Sequence, residues 1–221
     1  MHSPARKPRP LVIKIGGSLA GGTNLGGWID ALKHGCAAAP AARQSQFIIV
    51  PGGGALANAV RKLQGELDFD DHAAHHMALL AMEQFGLALA SLWPRLTRVE
   101  TLAAIRRAWR MRLIPWWAPT QMTLASPVPA RSWQMTSDSL AAWLAGEVKA
   151  ARLLLIKSVE AGPEPEAICA DLVTAGIVDP LFGHFAATSG AELYFAGPSA
   201  LPGACAILAE GGAPGVRVRL S

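Results

Sequence analysis

Short apolar runs that end in glycine or proline set the pattern of this chain. The clearest is LVIKIGGSLA (residues 11–20), in which four aliphatic residues surround Lys14 before two glycines end the run. Such a run predicts a strand buried on both faces, because a half-exposed strand would alternate apolar and polar residues. Further strands are predicted at 47–50 and within MRLIPWWAP, RLLLIKSV, ELYFAG and VRVRL. A lysine near the end of a buried strand needs a chemical explanation.

Helical segments lie between these strands. Helices are predicted at LGGWIDALKHGCAAA, at 55–65, over the long segment 70–93, and at TLAAIRRAWR, TSDSLAAWLAGEVKA and SALPGACAILAEG, whereas PVPARSWQM is predicted to be irregular. Asp70 or Asp71 is expected to cap the long helix, and Thr136 or Ser137 the TSDSLAAWLAGEVKA helix. Continuously apolar strands that alternate with helices predict an α/β fold, with a mainly parallel sheet and helices on both faces.

Composition predicts a large core and one domain. The 221-residue chain is 51% hydrophobic and 16% charged, which argues against disorder. The domain is expected at 11–221, after a basic, proline-rich tail at 1–10. The net charge of +4 is concentrated in that tail and in four arginines between 106 and 112. Nucleic-acid binding would need a continuous basic face with interleaved aromatics, so a solvated helix face or a pocket for an anionic small molecule is favoured instead.

Cysteine usage and hydropathy indicate the cellular compartment of the protein. Cys36, Cys169 and Cys205 lie far apart, which predicts a reducing environment and excludes a disulfide framework or a cysteine zinc site. No apolar run reaches the ~20 residues needed to span a bilayer. No apolar stretch separates the basic N-terminus from the first strand, so a secretory signal is not predicted. We therefore expect a cytoplasmic protein without a membrane partner.

Two glycine-rich turns, KIGGS and VPGGG, each follow a predicted strand. Ligands of open α/β sheets collect beyond the carboxyl ends of the strands, where glycine lets backbone N–H groups approach an anion. Phosphate binding is favoured over glycine used for turn geometry alone. The absence of G-x-x-x-x-G-K-[ST] excludes a P-loop. Residues 52–57 fit a loose G-x-G-x-x-A, so a Rossmann dehydrogenase stays an alternative, although that motif normally follows the first strand.

The combination of these blocks resembles a known family. VIKIGGS, FIIVPGGG and TSDSLAAWLA before LLLIKSVEAG are similar, in order and spacing, to the amino acid kinase superfamily, which includes aspartate, acetylglutamate and uridylate kinases. DDHAAHHMALLAMEQFG and SWQMTSDS resemble its aminomethylfuran-methyl phosphate kinase branch, which forms a diphosphate in methanofuran biosynthesis. The resemblance implies a three-layer sandwich fold, ATP and Mg²⁺ as cofactors, and a homo-oligomer of two or more subunits.

The resemblance also implies site residues. Lys14 and Asp138 are expected to be catalytic, although an edge-strand lysine and a first-turn aspartate are the structural alternatives. The family's second catalytic lysine has no counterpart, because the chain has no Lys or Arg between 163 and 190. Lys157, an arginine from elsewhere or the metal is expected to supply that charge. The remaining assignments are Gly16, Gly17, Ser18 and Ser158 for the nucleotide phosphates, and Gly52, Gly53, Gly54, Asp71 and His75 for the acceptor.

Three histidines, His72, His75 and His76, share the long predicted helix. A zinc site is not favoured, because H-E-x-x-H and a second ligand cluster are absent, and no metal ligand is assigned. Histidines lining the acceptor pocket are preferred over surface histidines. Further acceptor contacts are expected from the arginines at 106–112 as a charge reserve, from the loop tryptophans Trp116, Trp117 and Trp133 as an aromatic wall, and from Asp71 or Glu83 opposite an amine.

The expected function is therefore ATP-dependent phosphorylation of a small phosphate monoester, with the nucleotide bound as its Mg²⁺ complex. A carboxylate or nucleotide acceptor is the first alternative. A non-catalytic nucleotide- or oxyanion-binding protein on the same fold is the second.

Overall fold

The apolar run Leu11–Ile15 forms strand β1 near the centre of an eight-stranded sheet in the computed structural model, which describes residues 10–39, 46–128 and 132–221. The strands are β1 Leu11–Ile15, β2 Phe47–Pro51, β3 Leu96–Val99, β4 Ile114–Trp117, β5 Arg152–Ile156, β6 Glu166–Ile168, β7 Glu192–Ala196 and β8 Val216–Arg219. Their order is β3-β4-β2-β1-β5-β7-β8-β6. Strand β8 runs antiparallel to β7 and parallel to β6, and the other pairs are parallel.

Helices follow most strands, as the alternation predicts. They are α1 Asn24–Ala38, α2 Gly54–Leu67, α3 Asp71–Leu92, α4 Leu102–Arg110, α5 Thr120–Ala125, α6 Ser137–Glu147, α7 Cys169–Thr174, α8 Phe182–Ser189 and α9 Leu201–Ala209, with short 3-10 turns at Gly17–Gly21 and Pro198–Ala200. Among the described residues, no helix is both long and apolar enough to cross a membrane. Asp70 caps α3, since its Oδ1 accepts a hydrogen bond from Ala73 N at 2.7 Å.

Two apolar clusters cover the two faces of the sheet. Successive side chains of a strand point to opposite faces, so Val12 joins one cluster and Ile13 the other. The first cluster packs against α4, α6 and α8, and the second against α1 and α9. Both faces of the central strands are thus dry, which is why their sequences are continuously apolar. The predicted α/β sandwich with a mainly parallel sheet is confirmed.

Several elements were not predicted. Strand β3 reads LTRV, whose interior is polar, and β6 has three residues, so neither gives an apolar run. Helices α5 and α7 have six residues each, too few for a helical period to stand out. The tail at 1–9 and part of the predicted irregular segment, 129–131, lie outside the described residues.

The register of the central strands brings three turns together. Lys14 on β1 pairs with Val50 on β2 and Leu155 on β5. The segments that follow these strands therefore begin side by side at one edge of the sheet.

Candidate active site

A buried cluster of three charges lies where β1 and β5 end. The Lys14 Nζ lies 2.8 Å from Asp138 Oδ1, and the Lys157 Nζ lies 2.6 Å from Asp138 Oδ2. Lys14 shares the face of β1 that carries Val12, which is the face covered by α6, and Asp138 stands in the first turn of α6. Exposure is 3% for Lys14, 4% for Asp138 and 8% for Lys157, so an edge-strand or dipole role alone does not describe these side chains.

Burial dominates the electrostatics of the cluster. It lowers the pKa of Lys14 from 10.5 to about 8, and repulsion by Lys157 adds to this while the attraction of Asp138 opposes it. Burial alone would raise the pKa of Asp138, but the two ammonium groups outweigh it and hold that pKa below its usual value. Two cations and one anion leave the cluster with an excess positive charge at neutral pH. Such a site favours anionic ligands.

A segment that sequence reasoning missed supports the cluster. Ile177 O accepts a hydrogen bond from Lys157 Nζ at 2.7 Å. Asp179 Oδ2 accepts hydrogen bonds from Thr136 N at 3.0 Å, Thr136 Oγ1 at 2.8 Å and Ser139 N at 3.0 Å, and Ser139 Oγ donates to its Oδ1. The prediction that the side chain of Thr136 or Ser137 caps α6 is wrong in its acceptor: Thr136 holds the N-cap position, but the carboxylate that accepts from the N–H groups there belongs to Asp179. No local sequence signal marks a cap supplied from about 40 residues away.

The two glycine-rich turns pack directly on each other. A Cβ atom on Gly17 would overlap Gly54 N, and one on Gly52 would overlap Gly17 N. Gly54 also has a φ of +55°, in the left-handed region that side chains disfavour. This contact requires glycine whether or not a ligand binds.

Next to the two turns lies a cleft of about 440 Å³, and the three residues of the charged cluster are part of its lining. Its lining includes α2 residues up to Arg61, together with Trp133 and His75. It also includes Val173 and the segment 176–180. The charged cluster and Arg61 therefore line one continuous cleft.

On the α2 side, a chain of contacts orients an aromatic ring and a cation. The Arg61 Cζ lies 4.3 Å from the centroid of the Trp133 ring. Trp133 Nε1 donates to Gln64 Oε1 at 2.6 Å, and Gln64 Nε2 donates to Asp71 Oδ1 at 2.9 Å. Arg61 had no sequence signal beyond its position about two helical turns after the triple glycine, and it becomes a candidate only through the fold.

The structure places most of the predicted site residues around the cleft. Those that line it are Lys14, Gly16, Gly17, Ser18, Gly53, Gly54, His75, Asp138 and Lys157. Gly52 lies beneath the turn, against Gly17. Ser158 lies beside Ser18, with 2.8 Å between their hydroxyl oxygens, and both are exposed. Asp71 is exposed and engaged with Gln64, away from the cleft lining.

Other expected acceptor contacts lie elsewhere. Trp116 and Trp117 are in β4, not in a loop, and are 1% and 0% exposed on opposite faces of the sheet. The Glu83 carboxylate bonds Arg98 at 2.7 Å and Thr120 N at 3.1 Å, so it braces α5 and does not face an amine in the cleft. The arginines at 106–112 are exposed on and after α4 and do not line the cleft.

Known proteins resemble this chain in sequence and in fold. The sequence profile of the amino acid kinase family matches residues 9–161. The (5-(aminomethyl)furan-3-yl)methyl phosphate kinase of Methanocaldococcus jannaschii is 29% identical over 133 residues, which are 60% of this chain and 58% of that protein.

Solved structures share the fold. Uridylate kinase from Archaeoglobus fulgidus has a TM-score of 0.67 at 18% identity, covering 95% of this chain and all of that one. UMP kinase from Ureaplasma parvum has a TM-score of 0.66 at 18% identity, covering 96% of each chain. Because the matched profile spans well over half of its residues, the chain belongs to the amino acid kinase family.

Proposed function

We propose that the protein is an ATP-dependent kinase that phosphorylates a small phosphate monoester to a diphosphate. The observation that carries this proposal is the buried Lys14–Asp138–Lys157 cluster in the lining of a cleft that Arg61 also lines. A transferring phosphoryl group spreads negative charge over its oxygens, and catalysis rests on positioning and on positive charge at that point. The two ammonium groups supply that charge without reorganisation, because Asp138 already holds them in place.

The proposed reaction needs no proton transfer to or from the charged cluster. An oxygen of the acceptor phosphate attacks the γ-phosphorus of ATP, and the bond from that phosphorus to the bridging oxygen of ADP breaks. A phosphate or carboxylate acceptor is already ionised at neutral pH, so no general base is required. This suits the cleft, since Asp138 is held ionised between two cations and Asp179 is occupied by the first turn of α6. A hydroxyl acceptor would need a base, and neither of these carboxylates is available for that task.

Magnesium fits this arrangement as a companion of the nucleotide. Among the described residues, no group of three His, Cys, Asp or Glu side chains is arranged to hold a metal. Mg²⁺ keeps several waters and binds through substrate phosphates with few protein ligands. When bound, the ion would neutralise phosphate charge, while Lys14, Lys157 and the turn at 16–18 bind and orient the phosphates.

A phosphate acceptor is favoured over a carboxylate for two reasons. It brings about two negative charges close to the triphosphate and therefore needs a further cation. Arg61 supplies one on the α2 side of the cleft, in the place that the arginines at 106–112 were expected to fill. The name of the Methanocaldococcus jannaschii relative supports a furan phosphate, and Trp133 offers a surface for a flat ring.

A nucleotide monophosphate is the second candidate, because the solved structures of this fold include uridylate kinases. UMP is also a phosphate monoester with a flat ring. Both acceptors therefore make the same demands on Arg61 and Trp133, and kinetics must separate them.

The cellular location and the oligomeric state of the protein are also part of the proposal. A cytoplasmic location is supported by three cysteines that are all free. A homo-oligomer is supported by the family and by exposed leucines on α2 and α3, such as Leu67 at 66% and Leu87 at 59%. Sedimentation equilibrium of the purified chain tests the oligomer, and a monomer at micromolar concentration would contradict it.

The test of function is a comparison of kcat/KM for four acceptors with ATP and Mg²⁺: aminomethylfuran-methyl phosphate, UMP, aspartate and acetylglutamate. We expect the furan phosphate to be preferred and its diphosphate to appear by ³¹P NMR. Lys14→Met is the control, with kcat lower by ~10²–10³, the effect of removing one electrostatic donor. If UMP is preferred tenfold, or an amino acid is the best acceptor, the acceptor assignment is wrong. If ADP release does not depend on any acceptor, the kinase proposal fails.

A further inference from the structure

The segment 177–179 contacts Lys157 directly and also holds the helix turn that carries Asp138. Ile177 O holds the Lys157 ammonium at 2.7 Å, and two residues later the Asp179 carboxylate holds the first turn of α6, which carries Asp138. Asp179 is 7% exposed, and its two oxygens accept hydrogen bonds from backbone and hydroxyl groups of Thr136 and Ser139. One three-residue segment therefore fixes where an anion and a cation of the cluster stand relative to each other.

The cap of α6 differs from the local caps of two other helices. Helices α3 and α4 are capped by their own N-cap side chains, since Asp70 accepts from Ala73 N and Thr101 accepts from Ala104 N. A local cap of this kind fixes only the start of its helix. At α6 the N-cap hydroxyl of Thr136 instead donates to Asp179, so the helix start is tied to a different part of the chain. A local cap would stabilise the start of the helix equally well. The bonds to Asp179 also fix the position of α6 relative to the segment 177–179.

The charge of Asp179 also changes what the start of α6 can bind. A free helix N-terminus attracts anions through its unpaired N–H groups. Here the N–H groups of Thr136 and Ser139 already point to a carboxylate. These two N–H groups are therefore not available to a phosphate, and their bonds to Asp179 hold the turn that carries Asp138.

We propose that Asp179 is a positioning residue for phosphoryl transfer, which acts by fixing the Asp138 carboxylate between Lys14 and Lys157 and does not itself contact the reacting groups. The inference rests on the proposed kinase function. If it is correct, loosening Asp179 displaces Asp138, and both ammonium groups lose their common anchor. Misplacement of catalytic groups by about 1 Å can cost about 10²-fold in rate.

The perturbation is Asp179→Asn, which keeps the size of the side chain but replaces one acceptor oxygen with an NH₂ group. We expect kcat to fall 10- to 100-fold, with KM for ATP changed less than threefold. Glu83→Gln is the matched control, because Glu83 is another buried carboxylate that caps a helix from a distance, at Thr120 N, but lies outside the cleft. It should leave kcat within twofold. If Asp179→Asn does not fold, Ser139→Ala removes one bond to Asp179 and should lower kcat three- to tenfold.

A double-mutant cycle separates positioning from direct action. In an Asp138→Asn background, Asp179→Asn should change kcat less than twofold, because its effect passes through the Asp138 carboxylate. An equal fall in both backgrounds would mean that Asp179 acts on substrate independently, and wild-type kinetics in the single variant would mean that it does not act at all. Either result overturns the proposal.

A second readout does not depend on activity. Amine-selective labelling followed by mass spectrometry should modify Lys157 at least fivefold faster in Asp179→Asn than in the wild type, with Lys62 as the exposed internal reference. Unchanged labelling would contradict the positioning role. If the wild type transfers no phosphate to any acceptor yet labelling changes as expected, the kinase proposal fails while the structural tie stands.

Discussion

Replacing Lys14 with methionine should make the protein more stable and nearly inactive at the same time. Lys14 is 3% exposed and shares one carboxylate with a second lysine. Methionine has a similar length and no charge, so it fills the same space while it removes the excess cation. Removing one partner of a buried ion pair normally destabilises a protein because it leaves an unpaired charge, but here Asp138 keeps Lys157 as its partner. The kinase proposal requires that the same substitution lowers kcat.

The size of the gain follows from the pKa of Lys14. Each tenfold change in proton affinity corresponds to about 1.4 kcal/mol, so lowering this pKa from 10.5 to about 8 costs the folded state about 3 kcal/mol. The folded pKa lies below the unfolded one, so the full cost applies below pH 8, where both states carry the proton. Between pH 8 and 10.5 the folded state releases its proton first, and the cost falls to below about 1 kcal/mol at pH 10.

Urea denaturation at pH 7 and pH 10 measures this directly. We expect Lys14→Met to raise the free energy of unfolding by about 1–3 kcal/mol at pH 7, and the gain to shrink at pH 10. Lys62→Met is the control, since the Lys62 side chain is 81% exposed and lies 3.7 Å from Glu66, and it should change stability by less than ~0.5 kcal/mol at either pH. A loss of stability at pH 7, or a gain of equal size at pH 10, would refute the electrostatic reasoning.

Three further predictions address the cleft. Arg61→Gln should raise KM for a phosphate acceptor about tenfold or more and leave KM for ATP unchanged. Arg107→Gln, on the exposed face of α4, should change neither KM. Steady-state kinetics with each substrate varied in turn measures both values. Chelation of divalent ions with excess EDTA should abolish turnover and added Mg²⁺ should restore it, so full activity in EDTA would contradict the role of the metal. Gly17→Ala should destabilise the fold by ~3 kcal/mol or more, because its Cβ would overlap Gly54 N, while Gly21→Ala, with open space around it, should be tolerated; thermal unfolding compares the two.

Local patterns predicted the strands and turns of the site but not the contacts between distant segments. Lys14 was recognisable because it interrupts an apolar run directly before glycines, and the structure places it in the cleft. Asp179 was not recognisable, because its partners Thr136 and Ser139 are about 40 residues away and no spacing rule connects them. Capping was predicted correctly at Asp70, where donor and acceptor are three residues apart.

The tryptophans of PWW show a different limit. A proline next to two bulky residues suggested a loop, yet Trp116 and Trp117 occupy a short strand and fill the cores on opposite faces of the sheet. Proline is disfavoured inside a sheet because it lacks an N–H donor. Strand β4 has four residues, and the burial of two indole rings outweighs one missing backbone donor. Burial of this kind depends on the surrounding helices and cannot be read from the segment alone.

The ammonium group of Lys157 shows that a charge needed in a site can come from different positions in the sequence. The segment 163–190, which lines part of the cleft, contains no Lys or Arg. Lys157 reaches the same carboxylate as Lys14 from the end of the neighbouring strand β5, and its ammonium group also donates to the carbonyl of Ile177. What the proposed chemistry needs is an ammonium group within hydrogen-bond distance of Asp138, and any part of the chain that reaches this point satisfies it. The sequence therefore offered Lys157 only as one of three possible sources of this charge, and the two ion pairs of Asp138 single it out.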